Sequence, residues 1–190
     1  MSLRIAVPIK IVPKPEEVSL DEETMTIDRE DADSQLNPAD KNALEMALAV
    51  KDEHESVEVF GISMGPPFFE TFLEDVIAMG ADDAVLLSDR AFAGADTYPT
   101  SMVLAAGIEK LGDVDLVLCG EESSDSSTGQ VPPGIAEWLD VPQVTYANEI
   151  VVKGDSLEAT RSITGGEETV RNPLPAPASR ETRLNHPPCP

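Results

Sequence analysis

VDLVLCGEESSDSSTGQV, residues Val114 to Val131, decides how the rest of the chain is read. Val114 to Cys119 is an apolar run of strand length, Gly120 breaks it, and a Ser/Asp-rich loop leads into a helix expected from about Thr128 to Leu139. A strand that opens at its C-terminal end into a small-residue loop before a helix is the arrangement by which open α/β sheets hold ligands. The helix start offers N–H groups and a positive dipole end that suit a phosphate. Ser126, Ser127 and Thr128 add hydroxyls, and any of them could cap the helix. Two readings stay open on this stretch alone: a phosphate site, or a plain capped turn, because any helix favours such residues at its start.

Working outward, the same grammar repeats. Upstream lies a helix starting at Asp96 or Thr97, with Met102, Ala105, Ala106, Ile108 and Leu111 as its apolar set. Before it come a strand at Ala84 to Leu87 and a loop at Ser88 to Gly94. A strand from Val57 to Met64 is broken by Gly65-Pro66-Pro67, and a helix with pairs at Phe68/Phe69, Phe72/Leu73 and Val76/Ile77 follows, ending at Gly80. Asn37-Pro38 opens a helix to about Asp52, with Ala43, Met46, Ala47 and Val50 on one face. Asn37 either caps that helix or offers its amide to a ligand. Leu3 to Ile9 is the first strand, limited by Pro8. Met25 to Ile27 reads as a small peripheral strand and Asp28 to Gln35 as a loop. Strand and helix alternate four times, which predicts an α/β fold, a doubly wound, mostly parallel, Rossmann-like sheet.

After Val141-Pro142 the pattern changes. Val144 to Val152, Ser156 to Ile163 and Glu167 to Val170 are strand-like, with turns at Lys153-Gly154-Asp155 and Gly165-Gly166. They predict an antiparallel hairpin extension. The organisation expected is a nucleotide-binding core over 1–143, the extension over 144–171, and a Pro-rich irregular tail over 172–190.

Composition narrows the function. With 36 acidic and 13 basic residues the net charge is −23, which disfavours nucleic acid and anionic membrane surfaces as partners. The acid is spread along the chain, as expected of a hydrated surface suited to a salt-rich (halophilic) cytoplasm, with a localised acidic docking face as the other reading. Aromatic residues are 4% of the chain, so the core must be aliphatic. Cys119 reads as a buried small hydrophobe, Cys189 is penultimate, and His54 and His186 lie far apart, so neither a disulfide framework nor a metal cluster is indicated. No apolar run approaches membrane-spanning length and no leader pattern stands at the N-terminus, so a soluble cytoplasmic protein is expected.

Several segments together resemble the electron-transfer flavoprotein beta subunit family. They are Asn37-Pro38-Ala39-Asp40, Ser63-Met64-Gly65-Pro66-Pro67, Ala78-Met79-Gly80-Ala81-Asp82, and Leu87-Ser88-Asp89-Arg90-Ala91-Phe92-Ala93-Gly94-Ala95-Asp96-Thr97. Val114 to Val131, Val141-Pro142-Gln143-Val144-Thr145 and the Gly165-Gly166 turn also match, in order along nearly the whole chain. The resemblance implies a carrier subunit with no catalytic residues of its own. It implies a heterodimer with a flavin-carrying alpha subunit that shuttles electrons from flavin dehydrogenases. The beta subunit would bury an adenine nucleotide, AMP in one branch and FAD in the electron-bifurcating branch, with the redox FAD shared with the alpha subunit. Carried over by position, the nucleotide would lie against Pro8, Asn37, Pro38, Ala39, Asp40, Met64, Gly120, Glu121, Glu122, Ser123, Asp125, Ser126, Ser127, Thr128, Gln130 and Val131.

Two departures from the family pattern stand out. The family's loop opens Gly-Lys-Gln-Ala, whereas here Glu121 and Glu122 replace the lysine and glutamine. Beside a phosphate that exchange costs on the order of 1 kcal/mol or more per close charge. The family's Leu-Asn-Glu-Pro is matched by Leu184-Asn185-His186-Pro187, and the printed chain stops at Pro190. The segments that would dock dehydrogenases and embrace the alpha subunit are then expected to be missing. Two further functions are weighed: a stand-alone adenine-nucleotide-binding module, colourless and homodimeric, and a small acyl- or nucleotidyl-processing enzyme using Ser126 or Ser127. The second has no partnered histidine in the sequence.

Overall fold

Leu3–Pro8 (β1) is the strand about which the others are wound. Ile5, Ala6 and Val7 are fully buried, as a strand covered on both faces requires. The computed structural model describes residues 2–14, 19–21, 26–28, 33–154, 156–173 and 181–184. After β1 come the short strands β2 (Ile11–Pro13), β3 (Ser19–Asp21), β4 (Thr26–Asp28) and β5 (Ser34–Leu36), pairing as β2 with β5 and β3 with β4. β5 starts inside the segment expected to be a loop.

Helix α1 (Pro38–Glu53) leads to β6 (Val57–Met64), α2 (Glu70–Met79) to β7 (Asp83–Leu87), and α3 (Thr97–Leu111) to β8 (Leu116–Gly120), followed by α4 (Val131–Trp138). β6 and β8 flank β1, both parallel to it, and β7 lies outside β6. Side chains alternate across this sheet. Ile5, Val7, Leu116 and Leu118 join Ala43, Leu44 and Ala47 of α1 and Leu73 and Val76 of α2 in one core. Ala6, Ile62, Val117 and Cys119 join Leu104 and Ile108 of α3 and Ile135 and Ala136 of α4 in the other. The doubly wound expectation is therefore met, with two helices on each face.

The buried stripe of α3 is rotated from the one expected. Ser101, Leu104, Ala105, Gly107 and Ile108 are buried, while Met102 is 41% exposed. The helix packs through small residues: a side chain at Gly107 would meet Ile62 and Leu87, and one at Gly134 of α4 would meet Ser101. Close approach thus outranks side-chain size in choosing the face. Phe68 and Ile77 likewise remain exposed, at 59% and 44%, because α2 uses Leu73 and Val76 against the sheet. Pro67–Phe69 forms a separate 3-10 turn before α2.

The extension is β9 (Gln143–Lys153), β10 (Ser156–Ile163) and β11 (Gly166–Pro173), antiparallel in succession. It continues the main sheet, whose order is β11-β10-β9-β12-β8-β1-β6-β7. The inserted β12 (Glu181–Leu184) runs parallel to both β8 and β9. This corrects the irregular tail expected there: Glu-Thr-Arg-Leu has no apolar alternation, and its place is set by the two neighbouring ladders. The rest of that tail, 174–180 and 185–190 with His186 and Cys189, lies outside the described residues.

The order β8-β1-β6-β7 places the reversal of winding between β1 and β8. At that reversal α1 enters against the end of β8. A Cβ on Gly120 would overlap the Asp40 carboxylate and lie 2.7 Å from the Ala39 carbonyl carbon. Gly120→Ala is accordingly expected to destabilise the chain by about 1–3 kcal/mol through forced displacement of α1, read as a lowered urea midpoint with unchanged slope.

Candidate functional site

The site begins with the peptide of Lys10, just past the end of β1. Asn37 donates its N–H to the Lys10 carbonyl at 2.8 Å. Asp40 Oδ2 accepts the Lys10 N–H, also at 2.8 Å. Both residues stand at the start of α1, so the Asn-Pro-Ala-Asp segment grips the N–H and the carbonyl of one residue, Lys10. Asn37 does not cap its helix through its side chain. That side chain, 1% exposed, turns to the other strand end: its Nδ2 donates to the Glu122 carbonyl at 2.9 Å and its Oδ1 accepts from Ser124 N–H at 3.1 Å. The helix-cap role read from the sequence does not describe this side chain. Asn37 staples the loop after β8.

Asp40 is buried, and burial pushes its carboxyl up to about 7, against hydrogen bonds from the Lys10 N–H, Asn37 and the Gly120 N–H and the nearby Lys10 charge. Lys10 also reaches the loop through its side chain. Its Nζ lies 2.5 Å from Asp125 Oδ1, 3.1 Å from Ser123 Oγ and 3.4 Å from Ser126 Oγ. Ser123 and Ser126 share a hydrogen bond of 2.8 Å.

The loop ends differently from expectation. α4 starts at Val131, three residues later than read, with Gln130 before it and no side-chain cap. Thr128 Oγ1 receives only a 3.4 Å contact from Gln130 N–H. Pro132 and Pro133 occupy the first turn, where a missing N–H is tolerated. Of the first three helical positions only Val131 therefore carries a backbone donor, which narrows the anion-holding capacity expected of this terminus. Gln130 Oε1 accepts from Thr97 Oγ1 at 2.8 Å, tying the loop to α3.

These ties surround a cavity of about 590 Å³ at the β1/β8 reversal, within the range of small-molecule sites. Of the residues singled out from the sequence, Pro8, Asn37, Asp40, Met64, Gly120, Glu122, Ser123, Ser126, Thr128, Gln130 and Val131 line it. Pro38, Ala39, Glu121, Asp125 and Ser127 do not, Asp125 having a side chain 3% exposed behind Lys10. The wall also contains Ile9, Lys10, Cys119 and Gly129, Ala95, Asp96, Thr97, Thr100 and Leu104 at the start of α3, and Pro132 and Ile135 of α4. Lys10 had a readable signal, since it immediately follows the C-terminal end of a central strand. The α3 residues had none, because their presence depends on how α3 crosses the sheet. Among the described residues lining the cavity, Lys10 is the one lysine or arginine, facing Asp40, Asp96 and Glu122.

Other family-like segments prove structural. Asp82 pairs with Lys51 at 2.7 Å and accepts from Val59 N–H at 2.8 Å. Asp89 and Asp96 accept backbone N–H groups two residues on, opening the 3-10 turn Arg90–Phe92 and α3. No group of three or more metal-ligating side chains occurs among the described residues.

The model of the electron transfer flavoprotein domain matches residues 24–190. The chain belongs to that family. Among its relatives, the caffeyl-CoA reductase-Etf complex subunit CarD of Acetobacterium woodii is 46% identical over 185 residues, covering 97% of this chain and 71% of the relative. The electron transfer flavoprotein subunit beta of Thermoanaerobacterium thermosaccharolyticum is 45% identical over 185 residues, 97% of this chain and 70% of the relative. Protein FixA of Azorhizobium caulinodans is 39% identical over 180 residues, 91% and 64% respectively. The sequence reading of an electron-transfer subunit agrees with the names of relatives such as these beta subunits. Among the described residues, no helix of this family member is long and apolar enough to cross a membrane.

The Asp40 carboxyl supplies a pH test. Its folded-state pKa of about 7 lies above the ordinary carboxylate value near 4. Between those values the folded chain keeps a proton that the unfolded chain has released. This support for folding grows as pH falls and is lost as pH rises through about 7. Relative to Asp40→Asn, the wild type is expected to gain on the order of 2–3 kcal/mol of unfolding free energy from pH 8 to pH 5, measured by denaturant titration of both proteins at each pH. A constant difference contradicts the assignment.

Proposed function

We propose that this chain is a beta-type electron-transfer flavoprotein subunit whose cavity between β1 and β8 holds an adenine nucleotide, AMP or the adenosine part of FAD, and which pairs with a flavin-carrying alpha subunit. The observation that carries the reading is the composition of that cavity at the winding reversal. Its loop wall offers the Ser123, Ser126 and Thr128 hydroxyls and the Lys10 ammonium. Its other wall, from β6, β8, α3 and α4, offers Met64, Cys119, Leu104, Val131, Pro132 and Ile135. A flat apolar base with a phosphate at one end meets both needs, and such sites at the strand ends of doubly wound sheets are where mononucleotides sit.

A bound flavin supplies the one- or two-electron chemistry; an adenine nucleotide supplies none. The residues around the cavity then bind and orient. The hydroxyls donate to phosphate oxygens, the aliphatic wall excludes water from the base, and Asn37 fixes the loop that carries both. No proton transfer by the chain is required. Two relatives support the partnering: one is named as a subunit of a reductase-Etf complex, another as an acryloyl-CoA reductase electron transfer subunit. By that likeness the electron donors or acceptors here are flavin dehydrogenases or reductases met through the assembled complex.

The test is to purify the chain with its native partners and release bound ligands for mass analysis. AMP or FAD in about equimolar amount to this chain, in a yellow complex, is the expected result. A colourless homodimer with a nucleotide points to the stand-alone module, and no nucleotide at all removes the reading. The spread acidic charge generates a separate expectation. Raising KCl from 0.1 to 1 M shortens the screening length from about 10 to about 3 Å, and the melting temperature should rise by on the order of 5 °C as self-repulsion is relieved. A lower melting temperature at 1 M KCl sinks the proposed adaptation to salt.

A further inference from the structure

Between Gly120 and Gln130 the loop carries no lysine or arginine, and its charged residues are Glu121, Glu122 and Asp125. One cation is brought to it from elsewhere. Lys10 enters from the end of β1, with its ammonium 2.5 Å from Asp125 Oδ1 and 3.1 Å from Ser123 Oγ. The side chain of Asp125 is almost fully buried and Asp125 does not line the cavity, whereas Lys10, with a side chain 43% exposed, and both Ser123 and Ser126 do. The ammonium thus has a carboxylate behind it and the cavity in front.

An ammonium has three donors. Asp125 and Ser123 engage two at ordinary lengths, and the 3.4 Å contact to Ser126 is a poor third. That third N–H is the one a stronger acceptor would capture, and charge-assisted bonds to phosphate are such acceptors. The neighbouring helix start is a weak substitute, because Pro132 and Pro133 have no N–H to give and Val131 is left as the one donor of its first three positions. With Asp40, Asp96 and Glu122 on the same wall, a ligand's anionic group has one favourable place to lie.

We infer that Lys10, fixed from behind by Asp125, is the residue by which the cavity selects a phosphorylated ligand over its unphosphorylated counterpart. The inference rests on the adenine-nucleotide reading of the cavity. It accounts for how a loop with no cation of its own comes to hold one: the charge arrives from the end of β1.

The test is calorimetric titration of the full chain with AMP and, separately, adenosine. Wild type should prefer AMP at least tenfold. Lys10→Met should lose at least tenfold in AMP affinity while adenosine stays within about twofold, and Lys10→Arg should restore most of the AMP preference. Lys10→Gln, which keeps a donor to Asp125 without the charge, carries the same expectation if Lys10→Met folds poorly. Equal losses for AMP and adenosine mean that Lys10 only ties down the loop, and unchanged AMP affinity means that it plays no part; both overturn this inference and leave the cavity reading standing. A wild-type chain that binds neither ligand overturns both.

Discussion

The buried Asp40 carboxylate, placed between two strand ends, is the constraint on which the rest of the site depends. It accepts the Lys10 N–H after β1 and is pressed against Gly120 at the end of β8. Neither strand end could open without stranding a buried acid. Asn37 completes the junction by holding the Lys10 carbonyl on one side and the loop backbone at Glu122 and Ser124 on the other. Three segments far apart in sequence therefore meet in one hydrogen-bonded knot, and the cavity is the space left beside it. Burying polar groups is tolerable here because they are partnered.

The arrangement suits an electron-transfer subunit of this family. Its side chains hold backbone to backbone, and Lys10, Ser123, Ser126 and Thr128 line one wall of the cavity. Cys119, the one sulfhydryl among the described residues, lies in the core beneath the cavity. Membership of the electron transfer flavoprotein family and the identity with relatives such as the Thermoanaerobacterium beta subunit point the same way.

Local signals made much of this legible. The Val114–Cys119 run, the Asn37-Pro38 helix start and the alternation of strands and helices led to a doubly wound sheet because hydrophobic period and turn chemistry are local properties. Most of the loop and strand-end residues named from the sequence do line the cavity. The start of α4 was misplaced because Ser126, Ser127 and Thr128 look like caps, while Pro132 and Pro133 set the true first turn. The exposed side of α3 was misassigned because Met102 is larger and more apolar than the small residues that fit the interface.

By itself the sequence determined the alternating order of elements, the aliphatic core, the acidic surface and the identity of the loop after β8, since each follows from residue type and spacing along the chain. Only the tertiary structure decided that Asn37 is a staple and not a cap, that Lys10 faces Asp125 across 115 residues, that Thr97 and Thr100 join the wall, and that Glu181–Leu184 slots between β8 and β9. Those outcomes depend on which strand ends the winding reversal brings together. No spacing along the chain encodes that, because a hydrogen bond is chosen by distance in space.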